Sequence, residues 1–294
     1  MSGAKDPGRR PESFVCLHEF YARAKARLPR EIWDYLMGGA ETETTLHRNR
    51  QALDSLAFRP RVLRDVSRTN ARGRLLGLDL KLPIVLAPIG GLQDLDPGGA
   101  ASSAKAASAF GIVGMHSSVS EPALEVIAAA APGPQIYQLY MREGKKWLEE
   151  HAERAIEAGF HAFCLTVDLA VYARRERDLA KGYVTTTRRR NANVGGNSQA
   201  KLCWRDIERF KKAFNIPLIV KGIATAEDAA IAVDCGVDVV YVSNHGGRQL
   251  DHGRATVSVL PEVVDAVNGQ AEIIVDGGFL RGSDVAKAMA LGAN

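Results

Sequence analysis

The stretch PLIVKGIATAEDAAIAVDCGVDVVYVSNHGGRQLD, residues 217–251, decides the fold. It contains two short β-rich runs, Leu218 to Lys221 and Val239 to Ser243, and between them an Ala-rich amphipathic segment, Ala226 to Cys235. Two nearly continuous apolar strands joined by a helix of this length predict parallel pairing with the helix covering one face. The second run leads directly into Ser243, Asn244, His245, Gly246, Gly247, Arg248, Gln249, Leu250 and Asp251, the densest cluster of chemically able side chains in the chain.

The same alternation extends to both sides. Strands are predicted at Ile84 to Ala87, Ile112 to His116, Gln135 to Leu139, Ala162 to Val167 and Ile273 to Asp276, with helices such as Lys145 to Ala158 and Val257 to Val267. Seven βα units in a row predict an α/β fold of the TIM (β/α)8-barrel type occupying residues 83–294. The seventh unit is followed by one more helix, Ser283 to Leu291, so the eighth unit is expected to be missing and an open edge to remain between the first and seventh strands. The interval between the fourth and fifth strands is about twice the others and carries RRRNANVGGNSQ. Residues 169–203 are therefore expected to form an inserted loop over the C-terminal face, a lid whose Arg188, Arg189 and Arg190 draw in anions or, as readily, lie in solvent.

Residues 13–82 read as an N-terminal cap packed on the barrel, preceded by a polar tail, residues 1–12, expected to be disordered. Helices are predicted at Val15 to Ala26, at Arg30 to Met37 ended by Gly38 and Gly39, and at Thr44 to Leu56; LLGLDLKLP predicts a hairpin turning at Gly77. The 294 residues are 46% hydrophobic and 24% charged, the balance of a globular chain. A net charge of +4 gives no argument for nucleic acid or a membrane surface, and no run approaches 18 apolar residues, so a cytoplasmic protein is expected. Cys16, Cys164, Cys203 and Cys235 form no metal-binding or disulfide spacing and read as reduced thiols; His252 after His245 gives no metal spacing either. Trp33, Met115 and His116 read as packing residues.

The chemistry gathers at the C-terminal strand ends. His245 and Arg248 follow the sixth strand and can face one substrate, the first accepting a proton and the second holding a carboxylate. A solvated turn with a structural histidine is the competing reading of that segment alone. Lys221 ends the fifth strand, Thr166 and Asp168 the fourth, Gln138 and Tyr140 the third, Ser117 and Ser118 the second. Five consecutive strands delivering polar groups to one rim argue for a site rather than for solvation.

From about Leu28 onward the chain resembles the FMN-dependent α-hydroxy acid oxidases and dehydrogenases. The resemblance rests on DYLMGGAETETTL, FRPRVL, LPIVLAP, QLY, LTVD, the RRE at Arg174 to Glu176, IVKGI, VSNHGGRQLD and VDGG in that order, of which SNHGGRQLD is the most specific. It implies oxidation of a small L-2-hydroxy acid, with lactate among the substrates, to the 2-oxo acid. His245 is implied as the base for the 2-hydroxyl as the C2 hydrogen leaves for the flavin, by a hydride or a carbanion route, with Asp168 fixing its tautomer. Arg248, Arg175 and Tyr35 are implied to grip the carboxylate and Tyr140 to bond the reacting oxygen.

For FMN, the resemblance implies Lys221 beside the part of the ring that gains negative charge, Ser117, Gln138, Thr166 and Ser243 around the ring, and Ala87, Pro88, Ile89 and Gly90 along it. Asp276, Gly277 and Gly278 match the ribityl and phosphate end. The family usually has an arginine where Leu280 stands, and Arg281 is expected to substitute. Ile89 and Gly90 stand where oxidases commonly carry threonine and alanine, which leaves oxygen, a quinone or another carrier as acceptor. A homo-oligomer is expected. The alternative is a non-catalytic remnant that keeps the site residues but does not retain flavin.

Overall fold

The computed structural model describes residues 14–186, 189 and 198–294. Among them, seven parallel strands form one curled sheet in chain order: β3 (Val85–Leu86), β4 (Val113–Ser117), β5 (Ile136–Leu139), β6 (Ala162–Thr166), β7 (Leu218–Ile223), β8 (Val239–Val242) and β9 (Glu272–Val275). The helices α4 (Gly99–Phe110), α5 (Leu124–Ala130), α6 (Lys145–Glu157), α7 (Glu176–Ala180), α8 (Trp204–Ala213), α9 (Ala226–Asp234), α10 (Thr256–Val267) and α11 (Gly282–Ala290) lie between and after the strands. β3 and β9 are the two edges of this sheet, in agreement with a barrel of seven units.

Three strand starts, Val85, Val113 and Ile136, fall one residue later than expected and one, Glu272, a residue earlier; for Val113 and Ile136 the reason is local. Ile112 gives its amide to Ala107 at the end of α4, and the Gln135 side chain donates to the Ala128 and Ala131 carbonyls at the end of α5. Both residues finish helices before the strands begin. β7 runs past Lys221 because a bulge at Gly222, φ +115°, carries the chain on to Ile223.

The sheet separates two apolar layers. Side chains alternate along each strand, so Phe163, Leu165, Leu218, Val220, Val240 and Val242 pack outward on the helices, whereas Met115, Ile136, Cys164, Ile219, Tyr241 and Ile274 fill the interior. The alternation decides where the polar strand ends point. Two or four residues beyond the inward apolar positions come Ser117, Gln138 and Tyr140, Thr166 and Asp168, Lys221, Ser243 and Asp276, all on the inward parity at the C-terminal rim.

Ahead of the sheet stand α1 (Leu17–Arg27), α2 (Arg30–Met37), α3 (Thr44–Ser55) and an antiparallel hairpin, β1 (Gly73–Leu75) with β2 (Leu78–Leu80). The hairpin turns through Leu76 and Gly77, both left-handed, as a two-residue turn of this hand requires. Leu75 and Leu80 plug the N-terminal end of the interior, and Glu272 accepts the Leu76 amide at 2.7 Å. The α2–α3 turn reaches the opposite end, where the Ala40 amide donates to the Gly247 carbonyl at 2.8 Å. The expected tail, residues 1–12, and Arg188 and Arg190 of the inserted loop lie outside the described residues. Arg189 is exposed, its Nε on the Val184 carbonyl.

Candidate active site

The centre of the site is a histidine in an unusual backbone state. His245 has φ +58° and is followed by Gly246 and Gly247 at +66° and +73°. The left-handed state costs a β-carbon-bearing residue about 1–2 kcal/mol, so a built structure must hold it there. The Ser243 hydroxyl takes the His245 amide at 3.1 Å, and the Asn244 side chain takes the Gly247 amide at 3.1 Å. A Cβ on Gly247 would lie 2.4 Å from the backbone of Leu46, so the second glycine is needed for the cap to approach.

Held this way, the imidazole bridges two groups. Its Nδ1 lies 2.8 Å from Asp168 Oδ1 and its Nε2 3.3 Å from the Tyr140 hydroxyl. With Nδ1–H donating to the carboxylate, Nε2 is left as a base, to which Tyr140 donates. Burial raises the Asp168 carboxyl, but the hydrogen bond from His245 and the charges of His245 and Lys221 outweigh it and leave it below its ordinary 3.8. For His245 burial is also the largest effect and lowers it below 6.5; Asp168 opposes the shift, and the Lys221 and Arg175 cations add to it. At neutral pH the pair is therefore a carboxylate and a neutral imidazole. Burial pushes the Tyr140 phenol far above its usual value, so it stays a donor.

Two guanidinium groups stand beside this base. Arg175, 7% exposed, donates to the Arg248 carbonyl at 3.2 Å and the Gln249 amide oxygen at 3.4 Å, and Arg248 donates to the Gly38 carbonyl. Arg248 lies over the Tyr35 ring at 4.9 Å, and Arg175 lies over Tyr172 at 4.7 Å. These partners are neutral, so donors on both cations remain for an anion. Burial and then the charge of Arg175 lower the Arg248 guanidinium, which an anionic ligand would relieve.

On the far side is Lys221, 4% exposed, with Nζ 2.7 Å from Ser243 Oγ and 3.3 Å from Asp276. Burial disfavours its charge, but Asp276 and Asp168 hold it raised above its usual value. Thr256 donates to the Asp276 carbonyl, and Gly277 and Gly278, φ +105° and +82°, turn the chain there. A Cβ on Gly277 would come 2.6 Å from Thr256 Oγ1.

One cavity of about 930 Å³ connects these groups. Tyr35, Ala87, Pro88, Ile89, Gly90, Tyr140, Arg175, Lys221, His245, Arg248, Asp276, Gly277 and Gly278 line it. Leu169, Tyr172, Thr185 and Gln199 of the inserted loop join them, and the cavity continues past Leu80, Val85, Ile274 and Ala288 between β3 and β9. Ser117, Gln138, Thr166, Asp168 and Ser243 stand one layer behind: Gln138 donates to Thr166 at 2.8 Å, and Ser117 takes the Val119 amide at 3.3 Å.

Arg281 is not brought to the cavity. It occupies the position before α11 with extended backbone, and its guanidinium lies 3.0 Å from His18 Nε2 on α1.

The chain matches the FMN-dependent dehydrogenase family over residues 24–294. The chain belongs to that family. Glycolate oxidase 5 of Oryza sativa subsp. japonica is 39% identical over 295 residues, covering 94% of this chain and 80% of that protein. A peroxisomal (S)-2-hydroxyacid oxidase of Arabidopsis thaliana is 39% identical over 299 residues, covering 96% and 82%. The crystal structure of mandelate oxidase superposes with a TM-score of 0.89 at 35% identity, covering 96% of this chain and 83% of that one. The protein is thus an FMN-dependent oxidoreductase with a TIM-type α/β fold.

The cavity fits FMN on its own features. It has a glycine-turned backbone at Gly277 and Gly278 for a phosphate end, a buried cation at Lys221, and a buried polar atom without a protein partner at Asp276 Oδ1, with Gln138 Oε1 another such atom one layer behind.

Several supporting contacts have no signature in the sequence. Asn49 exchanges two side-chain hydrogen bonds with Asn244, at 3.0 and 2.8 Å. Asp251 accepts from the Thr42, Thr44 and Thr45 amides, the last at 2.7 Å. Arg50 donates to the Gly278 carbonyl at 2.8 Å and grips Asp284 with two nitrogens. All three join α3 or the turn before it to loops about 200 residues later, and local periodicity carries no signal for that pairing.

Proposed function

We propose that His245 is the base, and Arg175, Arg248 and Tyr35 the carboxylate clamp, with which this protein oxidises an L-2-hydroxy acid to the 2-oxo acid using FMN. The observation that supports these roles most strongly is that His245 Nε2 lines the same cavity as two guanidinium groups bonded only to neutral oxygens.

The two arginines hold the carboxylate, helped by the Tyr35 hydroxyl, and so fix the position of C2. Tyr140 hydrogen-bonds the 2-hydroxyl. His245 Nε2 accepts the hydroxyl proton, and Asp168 stabilises the imidazolium that results. Bound FMN supplies the acceptor for the two electrons and the C2 hydrogen. Lys221 places a fixed cation on the cofactor side, with Ser243 and Asp276 holding its Nζ. Ala87 to Gly90 would hold one side of the cofactor, with Ser117, Gln138 and Thr166 behind. The phosphate end would fall to the Gly277 and Gly278 backbone rather than to Arg281, which does not line the cavity.

The relatives named as oxidases favour oxygen among the three acceptors, and among substrates their names point to glycolate and mandelate beside L-lactate. A homo-oligomer belongs to the same reading, supported by exposed Phe14, Val15, Leu17 and Phe20 near the N-terminus. So does residence in the cytoplasm, supported by four free thiols. Among the described residues no helix is long and apolar enough to cross a membrane.

The test is direct. Protein supplied with FMN turns yellow and loses that colour without oxygen when one of glycolate, L-lactate or L-mandelate is added. Protein that takes up no FMN supports the remnant, and loaded protein that none of the three acids bleaches contradicts the proposal.

A further inference from the structure

Asp94 lies outside the base and the clamp, yet it ties together two loops that border the site. Its Oδ2 accepts from the Tyr183 hydroxyl at 3.2 Å and the Thr186 amide at 3.0 Å, and its Oδ1 accepts from Thr186 Oγ1 at 2.5 Å. All three donors belong to the loop after β6, which also supplies Arg175, Tyr172 and Thr185 to the cavity.

The carboxylate itself sits on a rigid support. It ends the single 3₁₀ turn Leu92–Asp94, which is anchored by Gly91 N on the Val119 carbonyl at 3.1 Å, Leu92 N on Ser120 Oγ at 3.3 Å, and Ser120 Oγ on the Ile89 carbonyl at 2.7 Å. Those anchors reach Ile89, which lines the cavity beside Gly90.

From Tyr183 the contact passes inward. Its ring packs 5.4 Å from the ring of Tyr35, whose hydroxyl donates to the Gly90 carbonyl at 3.4 Å and whose face carries Arg248 at 4.9 Å and Arg175 at 6.0 Å. Burial, and then the Asp94 carboxylate, keep the Tyr183 phenol well above its usual range, so the donor is permanent. The base is reached by none of these contacts, because His245, Asp168 and Tyr140 bond to one another on other strand ends.

We infer that Asp94 is a positioning residue for substrate binding: by holding Tyr183 and Thr186, it fixes the Tyr35 ring on which both carboxylate-binding arginines rest. The inference rests on the clamp assigned to Arg175, Arg248 and Tyr35 above. Three hydrogen bonds to one carboxylate are a strong tie, and removing the acceptor frees all three donors together.

The test uses the FMN-loaded protein and whichever of glycolate, L-lactate or L-mandelate bleaches it fastest; if none does, the function reading has failed before any variant is made. Asp94→Ala should raise KM about tenfold and leave kcat within about threefold, since the tie acts on binding and not on proton transfer. Exchange of the Thr186 amide hydrogen, read by mass spectrometry, should accelerate about tenfold in the same variant. Asp94→Asn, which keeps an acceptor oxygen, should fall between. Tyr183→Phe should raise KM in the wild-type background and add nothing in Asp94→Ala. Should Asp94→Ala fail to fold, the Tyr183→Phe, Thr186→Val double variant carries the same expectation for KM. An unchanged KM overturns the inference, whether kcat or thermal stability falls or not, and so does a kcat loss that matches or exceeds the change in KM.

Discussion

Asp168 packs against the backbone of Gly222 so closely that a Cβ on residue 222 would lie 2.7 Å from Asp168 Cβ and 2.9 Å from its Cγ. The glycine sits in the bulge of β7, one residue after Lys221, at φ +115°. The same irregularity thus ends the run that delivers Lys221 and clears the space in which Asp168 meets His245.

Gly222→Ala should therefore damage catalysis without touching substrate. The added methyl displaces Asp168, and the backbone state costs a further 1–3 kcal/mol or so. Turnover should fall on the order of 100-fold with FMN affinity nearly unchanged, as read by steady-state kinetics and flavin titration.

Asp168→Asn tests the orientation of the base. Losing the carboxylate removes the group that sets the tautomer and stabilises the imidazolium, and kcat should fall on the order of 10³–10⁴-fold. The pH profile adds a sign. His245 works as the neutral base and lies below its ordinary 6.5, so kcat/KM for the wild type should rise with pH and level off by that value. Asp168 opposes the lowering, so the rising limb of the variant should move to still lower pH.

Lys221→Met removes the buried cation and leaves Asp276 facing the cofactor cavity alone. The rate at which a hydroxy acid bleaches the bound FMN should drop on the order of 100-fold, in a stopped-flow measurement without oxygen. A simple packing role for Lys221 predicts little change, because methionine fills a similar volume.

His116 predicts acid sensitivity away from the site. It is fully buried on the outward side of β4, neither ring nitrogen has a partner, and burial alone lowers it to about 4. The unfolded chain binds its proton near 6.5 and the folded one near 4, so stability is complete above the first value and lost as pH falls toward the second. Relative to His116→Leu, the wild type should lose about 2.5 kcal/mol between pH 7 and pH 4.5, measured by urea unfolding.

The strands and most of the site were legible because both follow from a period of two. Once Ile219 is an interior residue, Lys221 must point inward at the rim, and the same count places Thr166 with Asp168 and Gln138 with Tyr140. Arg175, far from His245 in sequence, was found through resemblance, since no local pattern predicts that it folds back onto Arg248. Arg281 stands next to Leu280 in sequence, but the geometry before α11 turns its guanidinium to His18 instead of the cavity. The partners of Asn49, Arg50, Asp251 and Asp94 were not legible for a common reason: each lies far along the chain, and such pairing is decided by packing rather than by local residues.

The account turns on His245 as the group that takes the hydroxyl proton. His245→Ala, loaded with FMN and mixed without oxygen with the acid that best bleaches the wild type, measures that role in one step. The prediction is unchanged FMN binding and a reduction rate lower on the order of 10³-fold. Reduction of the bound FMN at the wild-type rate would contradict it.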